Sequence, residues 1–280
     1  MISQQSRLVA ALLVGLILPA TLHLARGEDL KPGSLTVEQA KEIVAGKNVE
    51  LLKSVTELSV EVAQVLSQLD SWIDLRLHRV QTITPEIARA LAPEKKGGTL
   101  ALGLTTITPE VATALAAHSR RMLALEGLDK KISVEVAREL AQFRGKLTLN
   151  GLPTLSREIA IELAKHNSKL TLFGLTEISD EAAEALSHHG STMLLNGLTK
   201  LTSASLIATM LKSDDGFLKL TKVQTISDDV AKVIAKYEGK RPVQLTGLTE
   251  LSEANAALLR ANPNIVLPSK FKKAEKQAQE

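Results

Sequence analysis

Hydrophobic positions along this chain change period in the middle of a short segment, and the segment then starts again. In Lys146 to His166, KLTLNGLPTLSREIAIELAKH, Leu147 and Leu149 alternate with Thr148 and Asn150, the period-two signal of a short strand with one buried face. Leu155, Ile159, Ala160 and Leu163 follow at helical spacing, which predicts a helix of about ten residues. Gly151-Leu152 forms the hinge between them, and the same grammar returns in Lys169 to His189, KLTLFGLTEISDEAAEALSHH.

Written out, the unit is L-x-L-x-G-L-x-x-L-[ST]-x-E-x-A-x-x-L. The residue after the hinge falls at Val55, Val80, Leu104, Leu128, Leu152, Leu175, Leu198, Val223 and Leu248, so units recur every 23 to 25 residues. A period of that length marks a repeat architecture. A half unit from Ser34 precedes the nine, and a last strand, NIVLP from Asn264, follows them.

The strand-to-helix boundary is the most regular feature. Thr36, Ser59, Thr84, Thr108, Ser133, Ser156, Ser179, Thr202, Ser227 and Ser252 stand where a side-chain oxygen accepts an unpaired helix amide. Two residues on come Glu38, Glu61, Glu86, Glu110, Glu135, Glu158, Glu181 and Asp229, where a carboxylate meets the positive end of the helix. Pro85 and Pro109 suit a first turn that needs no amide donor. Such a row of acids imitates a catalytic or calcium-binding set, but capping accounts for its members, including Glu253, shifted by one.

A lone unit of this size cannot bury enough apolar surface to offset the entropy of ordering it, so the units must stack. Strands stack at ~4.8 Å, whereas helices are ~10 Å across. One of each per unit therefore predicts a curved array, with short parallel strands on the concave side and helices on the convex side.

LTLNGLPTLSREIAIELA and LTLFGLTEISDEAAEALS resemble leucine-rich repeats of the ribonuclease-inhibitor-like kind, and short-repeat arrays of exported bacterial proteins in particular. The resemblance spans about residues 34 to 268 and implies an α/β fold, a right-handed solenoid of nine to ten repeats, and a binding scaffold with no named ligand. One position departs from the family. The usual unit, L-x-x-L-x-L-x-x-N-x-L, carries an asparagine that ties adjacent turns, and here Leu104, Leu128, Leu152, Leu175, Leu198 or Leu248 stands instead. An apolar rung replaces the ladder, which implies a different turn geometry.

Three units lack the Gly-Leu hinge and carry Ser54-Val55, Arg79-Val80 and Lys222-Val223. Glycine permits positive φ or close backbone approach, and a bulky residue before a β-branched one favours extended backbone. Two hinge conformations are expected, with negative φ at Arg79 and Lys222.

Binding in such arrays is expected on outward strand positions of the concave sheet. The candidates are Arg76, His78, Glu126, Asn150, Thr171, Phe173, Leu194, Asn196 and Lys219. Phe173 beside Leu194 is the apolar spot, and aromatic anchors carry binding energy more often than their neighbours. Set against that, one exposed apolar side chain is ordinary. His118, His166 and His189 share one repeat position and His188 adjoins the last. His166, His188 and His189 could gather a metal, but a histidine at a helix C-terminus also interacts with the helix itself. Phe143, Tyr237 and Asn262 fill the same position elsewhere.

The irregular places are the link Ala92 to Gly98, the unit Leu201 to Gly216 and the charged end from Ser269. They read as a bulge or loop, a loop with a weak acidic pair at Asp214-Asp215, and a frayed or solvated tail whose Lys270, Lys272, Lys273 and Lys276 could touch an anionic surface. Trp72 reads as packing near the N-terminal cap.

Composition adds mainly exclusions. Arg7, the apolar run Leu8 to Leu18, Pro19 and the small-residue stretch ending Ala25-Arg26-Gly27 have the layout of a signal peptide, cleaved before Glu28. The run is short of the ~20 residues a spanning helix needs, so the mature chain is expected to be secreted or periplasmic, with no membrane attachment after cleavage. The division follows as 1–27 signal peptide, 28–48 half repeat and cap, 49–268 solenoid, and 269–280 tail. With no cysteine, disulfides and an acylated lipoprotein anchor are excluded. The 34 basic and 31 acidic residues give +3. Without Arg7 and Arg26 the balance is 32 to 31, which makes no electrostatic case for nucleic acid. The chain lacks a Cys nucleophile, Gly-x-Ser-x-Gly, His-Glu-x-x-His and a Gly-rich phosphate loop, so neither enzyme chemistry nor a cofactor is expected. The expected function is an exported, non-catalytic scaffold for a protein partner. The alternatives are an envelope component without a ligand, or a carbohydrate- or metal-binding module. End-to-end self-association through the last strand remains open.

Overall fold

A computed structural model describes residues 32–69, 74–92, 97–128, 132–212 and 218–272. The signal-peptide assignment, Trp72, residues 93–96, Asp214-Asp215, Lys273 and Lys276 lie outside them.

Among the described residues are ten α-helices: α1 (Val37–Val44), α2 (Val60–Leu66), α3 (Pro85–Ala90), α4 (Pro109–Ala116), α5 (Val134–Ala141), α6 (Arg157–Ala164), α7 (Asp180–Ser187), α8 (Ala204–Leu211), α9 (Asp228–Ala235) and α10 (Glu253–Arg260). Nine start at the expected cap, whose hydroxyl accepts an amide of the first turn. Glu61, Glu86, Glu110, Glu135, Glu158 and Glu181 have carboxyls held below the usual range, by their own backbone amide first and the cap hydroxyl second. That is how a carboxylate at a helix N-terminus behaves.

The exception corrects the sequence reading. The cap of α8 is Ser203, whose hydroxyl accepts the Leu206 amide at 3.2 Å, and not Thr202. The Thr202 hydroxyl donates outward to Asp180 at 2.7 Å, and the Thr202 carbonyl accepts the Ser227 hydroxyl at 3.0 Å. Strand β7 (Lys200–Leu201) pairs with β9 (Thr225–Ile226) just upstream, so the chain stays extended one residue longer before the helix starts.

Strands β1 (Leu75–Leu77), β2 (Gly97–Leu102), β3 (Arg120–Leu125), β4 (Lys146–Thr148), β5 (Leu170–Thr171) and β6 (Met193–Leu194) form a six-stranded parallel sheet in chain order. Gly97 and Gly98, read from sequence as part of a loop or bulge, open β2. β8 (Leu218–Lys219), β10 (Val243–Gln244) and β11 (Ile265–Val266) form a separate sheet, and β6 is not paired with β8. In the first full unit a 3-10 helix, Val49–Lys53, takes the place of a strand. Each helix packs on the next along the chain, and one hydrophobic core runs between helices and strands. The residue after every hinge is buried in it, from Val55 to Leu248.

Of the two roles expected of glycine at the hinge, positive φ and close backbone approach, the hinge glycines take the second. Among the described residues only Gly33, Gly46 and Asn48 have positive φ, so neither the hinge glycines nor Arg79 and Lys222 do. What the glycines supply is close approach. A Cβ at Gly103, Gly127, Gly151, Gly174, Gly197 or Gly247 would fall within 3.0 Å of a backbone carbonyl of the preceding unit, such as that of His78 under Gly103 or Asn150 under Gly174. The three hinges without glycine follow a unit whose strand is absent or unpaired with theirs. Ser54 and Arg79 lie at the start of the array, and Lys222 follows the break between β6 and β8.

The turns are tied one residue later. The amides of Thr56, Thr105, Thr176, Thr199, Gln224 and Thr249 donate to the carbonyls of Gly33, Gln81, Pro153, Thr176, Thr199 and Gln224, at 2.7 to 3.1 Å. The hydroxyls of Thr199 and Thr249 reach the same carbonyls as their amides. Pro153 has no amide to donate, yet it supplies its carbonyl. This backbone ladder sits beside the buried leucine rung. At its far end Lys270 donates to the Thr249 carbonyl at 2.7 Å. Ser269–Phe271 there forms a 3-10 turn, and its Phe271 carbonyl accepts Arg260 at 2.9 Å. The start of the charged end is therefore docked and not a solvated tail.

Candidate functional site

The outward positions of the six-stranded sheet form two columns set by strand register. One runs Arg76, Ala101, Ala124, Thr148, Thr171 and Leu194, paired in that order. The register Leu77–Leu102–Leu125 places His78, Gly103 and Glu126 level in the other, followed by Asn150, Phe173 and Asn196. Lys219 is exposed but lies on β8, in the separate sheet, so the candidate row is not one continuous surface.

The side chains divide into three groups. At the first strands Arg76 pairs with Asp74 at 3.0 Å, and Asp74 also accepts the Thr99 amide at 3.0 Å. Burial pushes the Asp74 carboxyl up, but the Thr99 and Arg76 hydrogen bonds outweigh it and hold the group below its usual value. His78 Nδ1 lies 3.1 Å from Glu126 Oε2, both side chains about half exposed at 47% and 43%. The pair spans an intervening strand, and it can do so because the residue between them, Gly103, has no side chain.

In the middle the expected surface is partly closed. Thr171 is 7% exposed, a correction to its assignment as a contact residue, because it sits between Thr148 and Leu194 in register. Asn150 is half-buried, and its Oδ1 accepts the Phe173 amide at 3.2 Å. It therefore acts as an asparagine tie between turns, one position before the hinge. Phe173 is 39% exposed, with Leu194 half-buried on the next strand. Asn196 holds the position equivalent to Asn150 at the last strand before the break, and its buried Oδ1 finds no partner. β6 is the edge of its sheet and is not paired with β8, the next unit's strand, which would supply the amide.

The histidine cluster does not form as a metal centre. His166 and His189 stack, ring centroids 6.2 Å apart at 10°, while His188 is exposed with Nδ1 2.9 Å from the Glu184 carbonyl. Among the described residues no group of three or more His, Asp or Glu is placed to hold a metal. Sequence reasoning also missed Arg120. It is 4% exposed, donates from Nη2 to the Leu91 carbonyl at 3.1 Å, and burial lowers its guanidinium to about 10. Its position at the start of a strand, in phase with Lys146, gave no signal of burial.

On the helical side a groove of about 660 Å³ runs between α6 and α7, floored by Ile161, Ala164 and Ala185 and rimmed by Arg157, Asp180 and Glu184. No helix among the described residues is long and apolar enough to cross a membrane. No protein-family model matches the chain, and no curated protein matches it.

Proposed function

We propose that the chain is an exported, non-catalytic repeat scaffold, a right-handed solenoid of leucine-rich-repeat-like units curved toward its sheet, which binds a protein partner through the sheet face around Phe173. Strand-by-strand pairing in chain order with helix-on-helix packing supports the solenoid reading, since strands stack more closely than helices. The observation that carries the binding reading is Phe173 itself, a large apolar side chain left exposed mid-sheet beside Leu194. Aromatic residues, Phe among them, are enriched at protein interfaces. The ion-paired end at Arg76 and His78 then forms the polar rim.

Capture from the native envelope with the wild-type chain and with Phe173→Asp and Leu194→Asp variants tests this. A partner retained by the wild type and lost by Phe173→Asp, with unchanged urea unfolding, supports it. A partner held equally by both, or no partner for the wild type, overturns it.

A further inference from the structure

His118, His166 and His189 are 4%, 1% and 3% exposed and play no part in the proposed binding face. Each reaches across a unit boundary to the last turns of a preceding helix. His118 Nε2 lies 2.7 Å from the Ala88 carbonyl of α3, and His166 Nδ1 lies 3.3 Å from the Ala141 carbonyl of α5. The His189 ring faces the Ala164 carbonyl of α6. In the last unit Asn262 fills the same repeat position, and its amide donates to the Ala235 and Tyr237 carbonyls at 2.9 and 2.7 Å. The position caps the end of the neighbouring helix, and one N–H suffices for that.

A neutral imidazole supplies that one N–H and keeps a bare lone pair on its other nitrogen. Those second nitrogens, His118 Nδ1 and His166 Nε2, are buried and unpartnered, and neither His189 nitrogen has a well-formed bond. Protonation would put an additional N–H and a full charge into the core, and both are costly there. In the stacked pair it would set two like charges face to face. Arg120 acts on His118 as a further like charge, and the pair act on each other. Glu162, the last carboxylate of α6, is already held by Lys165 at 2.7 Å and Arg138 at 3.7 Å. Carbonyls of Gly145 and Lys169 beside His166, and of Thr192 and Ser168 beside His189, favour the proton, but burial outweighs them in both.

We propose that these buried imidazoles form an acid-sensitive seam through the middle of the array, knitting units together when neutral and releasing them when protonated. The sign follows from the two states. An unfolded imidazole titrates near 6.5, while burial lowers the folded His118 to about 4 and lowers His166 and His189 as well. Below about 6.5 the open chain binds more protons, so the unfolding constant rises by up to about tenfold per pH unit per histidine. The helix-capping carboxylates begin to lose their contribution only below about pH 5, so above that pH the histidines act alone of the two.

The test compares the wild-type chain with His166→Asn/His189→Asn, which copies Asn262, by urea unfolding between pH 7.5 and 5. The expected result is a double variant whose unfolding constant rises less steeply below pH 6.5, by up to about a hundredfold per pH unit. Equal slopes overturn the proposal. If the double variant is unfolded at pH 7.5, His118→Asn and an NMR titration of the wild-type imidazoles decide. Folded His166 and His189 rings that titrate near 6.5 overturn it, and rings that stay neutral until the chain opens support it.

Discussion

Units hinged by Gly-Leu and units hinged by Ser-, Arg- or Lys-Val differ at two adjacent positions in sequence and in what lies behind them. Behind Gly174 the Asn150 carbonyl is too close for any Cβ, β4 pairs with β5, and Asn150 ties the turn through the Phe173 amide. Behind Lys222 the corresponding strands are unpaired, and Asn196, in the place of Asn150, has a buried oxygen without a partner. The glycine is thus a mark of contact between two units and not of a turn within one. Its loss at 222 goes together with the end of the sheet.

The most damaging way to break this comparison is Gly174→Val, which forces a side chain into the Asn150 carbonyl. Urea unfolding should show a loss of about 3 kcal/mol, at the upper end of overpacking effects, whereas Lys222→Val stays within about 0.5 kcal/mol, as exposed substitutions do. Equal losses would refute the close-approach account. Next in size is the displaced cap of α8. Ser203→Ala should cost ~1 kcal/mol and Thr202→Ala a few tenths, the reverse of what alignment with the other units gives. Asn150→Ala should cost ~1 kcal/mol for the lost tie, with Asn196→Ala close to neutral or stabilising, because its oxygen is buried without a partner. The smallest effect is at the other end of the sheet, where a double-mutant cycle on His78 and Glu126 should give a coupling below about 1 kcal/mol.

Much of this was legible in the sequence. Unit length, the strand-to-helix change, nine of ten caps and the buried leucine rung all follow from contacts within a unit, and those repeat with the chain. What was not legible depends on how units meet. Leu102 precedes its hinge as His78 precedes its own, but β2 pairs one residue out of step, and that slip puts Gly103 in place of Leu102 between His78 and Glu126. Thr171 looked outward by alternation and is buried by its register neighbours. His166 looked like the cap of its own helix and instead closes the helix before it. The backbone ladder left no mark in the unit pattern, because a bond from a main-chain amide does not depend on side-chain identity, and Gln224 and Pro153 serve in it as threonines do.

Every rung of that ladder points the same way, from an amide of the later unit to a carbonyl of the earlier one. The array therefore has a head and a tail, and its final rung would expose an unused acceptor at Thr249. Lys270 folds back and fills that place. A unit that used this acceptor would first have to evict a lysine.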